Sequence, residues 1–560
     1  MPKQLTTAPA NSRWDSEVRF LALLATSAAV CAFLFYFRRG EVLLYGDAVA
    51  HLNIARRVFD STTPGLLQLG TVWLPLPHLL MIPFLISDEM WQRGAGGSIP
   101  SLLAYVFGVV GMFQLVRGAL TRDAESNAPA RVAAWAAALV YAANPNLLYL
   151  QTTAMGEGLY LAFFIWAVVY FGESVCGDAK ALTKCGLCLA AACLTRYDGW
   201  FLSVAMAATV VVFSILASKG PGNDRFGFRP SRAAAAKFVL LAAAAPALWL
   251  AYNAIVYRNP LEFENGPYSA KAIERKTQSA GNPGHPGGGN PILAAQYFLK
   301  SAEANAAENE WLQRAWVLLV LVAIAATLFV NRLQKTTEVR TVLWLPLLFL
   351  LIPVPFYALS VAYGGVPIFV PTWWPFSHYN VRYGLQLLPA FATALAILVC
   401  LAMRFDWRNP KLRPASVLLL FAFVVASYSS IWRAGPQSLQ EAEINMRTRN
   451  LLEAQLASLL KGLPPNATLL MYLGDHVGAV QQAGIHLNRV INEGNHRVWK
   501  QPVDPEGLWE RALADPAQYA DYAVASEGDV VWQAARARHL RELVEIHVSG
   551  QSRAILYRAR

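Results

Sequence analysis

Charge is what this 560-residue chain has least of: Asp, Glu, Lys and Arg together make up 15% of it, where a soluble domain carries roughly a quarter. With 55% of the residues apolar, that shortage excludes an ordinary soluble protein of this length. Cysteine is scarce as well. Cys31, Cys176, Cys185, Cys188, Cys193 and Cys400 all lie in or beside apolar stretches, which excludes a disulfide framework. Cys185-Gly-Leu-Cys188 has no strand before it, so it reads as small buried residues rather than a redox or metal pair. Nucleic-acid motifs and repeats between the two halves are missing too. The net charge of +11 is therefore assigned to membrane topology and anionic headgroups. No cleavable leader is expected, because Phe20–Phe37 is too long for a signal core and ends in Arg38-Arg39, the pattern of a retained anchor.

Long apolar runs are what the chain has in abundance. About eleven are long enough to cross a bilayer core of roughly 30 Å, with cores near 19–37, 99–118, 132–150, 155–171, 182–195, 199–217, 237–257, 312–330, 342–361, 384–403 and 414–432. The run Leu76–Ile86 is too short and carries Pro77 and Pro83, so it is expected to lie in the interface or to re-enter. With Lys3, Arg13 and Arg19 on the cytoplasmic side, the cytoplasmic loops hold Arg122 and Arg131, then Lys180 and Lys184, then Lys219, Arg225, Arg229, Arg232 and Lys237. The last two hold Arg332, Lys335 and Arg340, then Arg404, Arg408, Lys411 and Arg413. Each is basic, as the positive-inside rule requires, and an odd number of spans puts the C-terminal segment outside. The expected architecture is a mainly α polytopic membrane domain, residues 1–433, with external loops 38–98, 258–311 and 362–382. Residues 434–560 are expected to form a small extracytoplasmic α/β domain, with strands near 468–473, 522–525 and 554–557 and helices at 437–460, 506–513 and 530–543. The expected setting is a bacterial or archaeal cell membrane.

The odd polar residues cluster in the segments assigned to the outside. Asp47, in Tyr45-Gly46-Asp47-Ala48, reads either as a helix cap or as a carboxylate over a water-filled cavity, poised as a general base. His51 is one turn on and shares its face; the two make at most half of a metal site. Trp73-Leu-Pro-Leu-Pro-His78 suits a bent interfacial helix. Glu157 opens a span at its outer end, either as a complement to the helix dipole or as a ligand for a sugar hydroxyl. Arg196 and Asp198, in the tight turn Thr195–Gly199, either pair with each other or meet a polar cavity. Arg382, in Asn380-Val-Arg-Tyr383-Gly, stands at a helix N-terminus on the wrong side for a topology signal. It requires an anionic partner, and a lipid phosphate is the natural one. The loop 258–311, Gly- and Pro-rich near 281–290 and carrying Lys271, Arg275 and Lys276, reads as a lid or as a passive connector. Gly474-Asp475-His476 reads first as a strand-to-helix turn with a capping Asp.

In this order, these motifs resemble the GT-C superfamily of multi-spanning glycosyltransferases, in particular its protein-O-mannosyltransferase-like branch. The Gly-Asp of the first outer loop, the Trp/Pro stretch, Glu157, the Thr-Arg-x-Asp-Gly turn, the Arg-Tyr…Leu-Pro span and the outer C-terminal domain cover essentially the whole chain. The resemblance implies transfer of a sugar, a mannose-like hexose, from a polyprenyl- or dolichyl-phosphate donor to a lipid, glycan or protein acceptor. It implies Asp47 as catalytic base, with Arg382 and Arg196 on the donor phosphate. His51, Glu157, Asp198, His78 and Tyr383 would then orient sugar or acceptor. Asp47-Ala48 departs from the Asp-Glu of many relatives, and no Asp-x-Asp is present, so no cofactor is expected and a divalent metal is the less favoured option. The rival readings are an oligosaccharyltransferase- or ligase-like enzyme, a transporter or flippase, and a ligand sensor. The charges lie at span ends rather than near the midplane, and no cytoplasmic output domain is evident.

Overall fold

The computed structural model describes residues 15–121, 128–178, 180–217, 228–279, 283–333, 345–496 and 504–560. Lys3, Arg13, Arg122, Lys219, Arg225, Lys335, Arg340 and part of the glycine-rich stretch near 281–290 lie outside them. Nine helical segments among the described residues are long and apolar enough to cross a bilayer, and Ala128–Ala142 and Ala181–Cys193 are shorter apolar helices. Together they account for the eleven expected runs, and the chain is an integral, multi-pass membrane protein. The run expected over 132–150 is broken: Asn144 ends one helix and caps the next, Pro145–Leu150, its side-chain oxygen accepting from the Asn146 and Leu147 amides.

Spans without water between them must be held by close packing and internal hydrogen bonds. The alanine-rich helix Ala128–Ala142 supplies a smooth surface, with Ala133, Ala134, Ala136, Ala137 and Ala138 fully buried. At its far end Asn144 donates to the Asn305 carbonyl at 2.8 Å. Asn305 in turn donates to the Ser301 and Val381 carbonyls at 2.8 and 2.7 Å, and Asn146 accepts from the Ser438 amide at 2.9 Å. This buried amide network joins four segments at one end of the bundle. Gly384 adds a steric requirement there, since a Cβ would lie 2.3 Å from the Ser301 carbonyl carbon.

The span expected over 384–403 differs from the expectation at its start. Val381–Leu387 is a 3-10 turn, and the α-helix begins at Leu388 with Pro389 in its first turn. A proline is tolerated there because the first amides of a helix have no intrahelical partner. Loop 258–311 also differs. It holds the helices Glu262–Asn265, Ala270–Ser279 and Pro291–Ala306, the last burying Ala294, Tyr297 and Phe298 against the bundle. The short apolar stretch after Trp73 forms Leu76–Met81 and a 3-10 turn, Ile82–Phe84.

Beyond the last span, Gln437–Lys461 runs back across this end of the bundle. A five-stranded sheet follows: β1 (Leu469–Met471), β2 (Val490–Ile491), β3 (Tyr522–Ser526), β4 (Arg541–Ile546) and β5 (Ala554–Arg558), in the order β2-β1-β3-β5-β4. β1 runs parallel to β2 and β3, while β5 is antiparallel to β3 and β4. The helix expected over 530–543 stops at Ala537, and β4 begins at Arg541. β4 is an edge strand with five of its six residues exposed, so it carries none of the inside-outside alternation that marks a strand in sequence. The turn at Gly474–His476 follows β1 and opens the Leu473–Ala483 helix, with a non-helical backbone at His476. One buried apolar cluster runs from the spans through Leu452 and Leu456 to Leu469, Met471 and Val480. A second cluster, with Leu470, Ile491, Trp509 and Tyr557, lies wholly within the C-terminal part.

Candidate active site

Arg382 is the centre of the site. The 3-10 turn fixes its backbone, and its guanidinium, 5% exposed, donates in three directions. Nη2 reaches Asp47 Oδ2 at 2.6 Å, Nε reaches Glu157 Oε1 at 3.1 Å, and Nη1 bonds Glu441 Oε1. Glu441 also accepts the Val381 amide through its other oxygen at 2.7 Å. A buried guanidinium at a helix start would be costly alone; three carboxylates from three distant segments offset that cost here.

Arg196 forms a second centre beside the first. It donates to Glu157 Oε1 at 3.1 Å, to Asp198 at 3.3 Å and to the Tyr357 hydroxyl at 2.9 Å, and Tyr357 donates to Asp198 at 2.7 Å. Glu157 thus bridges the two arginines. Tyr383 lies under both, with guanidinium carbons 4.7 and 5.1 Å from its ring centre, within the range of a cation–π contact. Gly199 lets the 195–199 turn close this tightly, because a Cβ would stand 2.6 Å from the Ala192 carbonyl carbon.

These contacts resolve several open readings. Asp47 does not cap: the Gly46–Arg57 helix has Tyr45 at its N-cap position, and the Asp47 side chain turns to Arg382 instead. Arg196 and Asp198 do pair. Arg382 finds anionic partners within the chain itself, as Asp47, Glu157 and Glu441. The reason is geometric: the Gln437–Lys461 helix returns over the bundle and brings in Glu441, a residue not among the expected set. A signal for it existed in the sequence. An arginine carries five N–H donors, more than Asp47 and Glu157 were set to satisfy.

His51 shares the face of Asp47 but turns away from it. Its Nδ1 lies 2.8 Å from Nε2 of His78, and its ring stands 4.6 Å from that of Trp73. One nitrogen must carry the proton and the other accept it, so the pair is consistent with two neutral rings. Burial pushes His51 down to about 4, against a smaller upward pull from Asp47 and Glu157. Burial likewise holds His78 well below the ordinary histidine range, helped by His51 and Arg57. His51 is thereby engaged with a second histidine rather than poised with Asp47 as a metal pair. Among the described residues no three His, Cys, Asp or Glu side chains are grouped to hold a metal ion.

A cavity of about 530 Å³ opens beside Arg382. Asp47 and Arg382 line it. Glu157, Arg196, Asp198, Tyr383, His51 and His78 are not among its wall residues and stand behind them. The Asp47 side chain keeps 45% of its surface exposed, whereas Glu441 is buried. The wall is completed by Trp73, by Tyr268 and Ile273 from the 258–311 segment, and by Tyr472, Glu493 and His496 from the C-terminal sheet region. The site therefore lies between the spans and the C-terminal unit. Asn53 and Gln481 tie the two at 2.7 Å beside it.

No family model matches the sequence, and no curated protein matches it. Solved structures do. ArnT from Cupriavidus metallidurans bound to undecaprenyl phosphate matches with a TM-score of 0.54 at 13% identity, over 96% of this chain and 98% of that one. The same protein in the apo state gives 0.53 at 14% identity, over 97% and 99%. An oligosaccharyltransferase from Archaeoglobus fulgidus in the apo form gives 0.44 at 12% identity, over 98% of this chain and 75% of that one. The likeness to ArnT is one of fold, and it runs over nearly the whole of both chains.

Proposed function

We propose that this chain is a membrane glycosyltransferase that moves a sugar, a mannose-like hexose, from a polyprenyl-phosphate donor to an acceptor hydroxyl. One observation carries the reading: in a GT-C fold, a half-exposed carboxylate, Asp47, faces a cavity and is locked in place by a buried arginine. The Asp47 oxygen not engaged by Arg382 takes the proton of the acceptor hydroxyl, which attacks the anomeric carbon as its bond to the donor phosphate breaks. Attack opposite the phosphate inverts the anomeric centre. Arg382 holds Asp47 aimed through its 2.6 Å bond, and Glu157, Glu441, Arg196, Asp198 and Tyr383 hold Arg382 in turn. No step calls for a metal. The cavity lies at the end of the bundle opposite the basic 404–413 loop, which supports placing it on the extracytoplasmic face, with residues 434–560 closing it from above.

The test is transfer from a panel of polyprenyl-phosphate sugars by the purified protein, with membrane extract as acceptor source and with or without EDTA. The expected result is release of polyprenyl phosphate from one class of donor, undiminished by EDTA. Loss of transfer in EDTA would contradict metal independence. Inertness toward every donor, beside an active control enzyme, would move the assignment to oligosaccharide transfer or lipid transport.

A further inference from the structure

Resting on the donor reading above, we infer that the donor phosphate is held by Arg57, at the far end of the cavity from Asp47, and not by Arg382 or Arg196. The Gly46–Arg57 helix lines the cavity with Asp47, Ala50, Ile54 and Arg57, spaced i, i+3, i+7, i+10, so that one stripe faces it. Asp47 and Arg57 stand at opposite ends of this stripe, about 15 Å apart along the axis at 1.5 Å per residue.

Charge separates Arg57 from the other cavity arginines. Arg382 spends its three nitrogens on carboxylates, and Arg449 pairs with Glu453 at 2.9 Å. Arg57 makes no ion pair or hydrogen bond among the described residues, and its Nε is buried without a partner. The nearby acids are engaged: Glu262 accepts from the Asn259 side-chain Nδ2 at 3.0 Å and Glu493 from the Leu473 backbone N–H at 2.9 Å. A half-buried guanidinium with a sheltered, unused N–H is a ready receptor for a phosphate oxygen.

Reaction geometry gives the same answer. In an inverting displacement the base and the leaving group lie on opposite sides of the anomeric carbon. The phosphate must then sit a sugar's width or more from Asp47, a place Arg382 cannot reach while bonded to it. Arg57 lies on the same cavity-facing stripe, at the end away from Asp47. The lipid tail has a path there as well: Leu67 and Leu69 line the cavity wall, and Phe59 and Leu66, on the same stretch of chain, are exposed.

The experiment measures binding of undecaprenyl phosphate, undecaprenol and inorganic phosphate to the detergent-solubilised full chain, as wild type, Arg57→Ala and Arg57→Lys. The melting temperature of each variant serves as a folding check. The wild type is expected to prefer undecaprenyl phosphate over undecaprenol. Arg57→Ala should lose roughly tenfold or more of that affinity, and Arg57→Lys should recover part of it. Affinity for undecaprenol should be unchanged in both variants. A folded Arg57→Ala protein that binds undecaprenyl phosphate like the wild type would overturn the assignment while leaving the donor reading intact. A wild type that does not distinguish the two lipids would overturn the donor reading, and this inference with it. Inorganic phosphate bound as tightly as the lipid would make Arg57 a free-anion site and overturn its role toward the donor.

Discussion

At the residue scale, the account rests on which charges are satisfied and by what. Arg382 is buried and holds two buried carboxylates, Glu157 and Glu441. Replacing it with Gln strands Glu441 and leaves Glu157 to Arg196 alone, and breaking a buried pair typically costs about 3–5 kcal/mol. Chemical denaturation should show that loss, and Glu441→Gln added to Arg382→Gln should recover part of it, as a double-mutant cycle between touching residues would read. The histidine pair sets a pH dependence. Unfolded, both rings take up protons near pH 6.5, while the folded His51 does so only near 4. Between those values the unfolded state binds more protons, so stability is full above about pH 6.5 and falls as pH drops through the window. The slope is about 1.4 kcal/mol per pH unit for each ring. Melting temperatures should decline between pH 6.5 and 4, and a His51→Gln variant should decline less; a flat wild-type profile would contradict a neutral pair.

At the scale of elements, glycine placement governs how the site closes. Gly384 lies against the Ser301 and Ala302 backbone at 2.3–2.4 Å from where a Cβ would stand. Gly384→Ala should therefore displace the Val381–Leu387 turn and with it Arg382, lowering both activity and thermal stability. Gly118, with open space around it, is the matched control, and Gly118→Ala should leave both unchanged within error. Equal effects at the two positions would argue against close backbone approach as the cause. The spans and the motif turns were legible in the sequence because apolar length and misplaced charge are local signals. Asp47, Glu157, Arg196 and Arg382 do converge. What was not legible depends on distant segments meeting. Glu441 sits on a helix whose sequence reads as part of the C-terminal domain, and the Asn305 network rests on uncharged amides that look like ordinary helix residues. The buried Pro291–Ala306 helix was hidden by its glycine-rich approach. β4 was hidden because an exposed edge strand lacks alternation.

At the scale of the whole molecule, one buried apolar cluster and one cavity span the membrane part and the C-terminal part. Glu441, the Asn53–Gln481 bond and the wall residues Tyr472, Glu493 and His496 all come from beyond residue 433. Truncation at 433 should thus yield neither a stable membrane domain nor transfer activity, checked by size-exclusion chromatography and the donor assay. A well-folded, active truncate would show the two parts to be separable. Orientation is open to the same kind of test. Single cysteines introduced at Asn409 and Gly528 are expected to label from opposite sides of the membrane with an impermeant maleimide, Gly528→Cys from the extracytoplasmic side.

The central claim is that Asp47 is the base of a sugar transfer from a lipid phosphate. The most direct measurement compares release of polyprenyl phosphate by the wild type and by Asp47→Asn, with donor binding measured on the same preparations. The account predicts that Asp47→Asn binds donor and keeps its fold, yet releases less than about a hundredth as much as the wild type. An Asp47→Asn protein that turns over at the wild-type rate would contradict it.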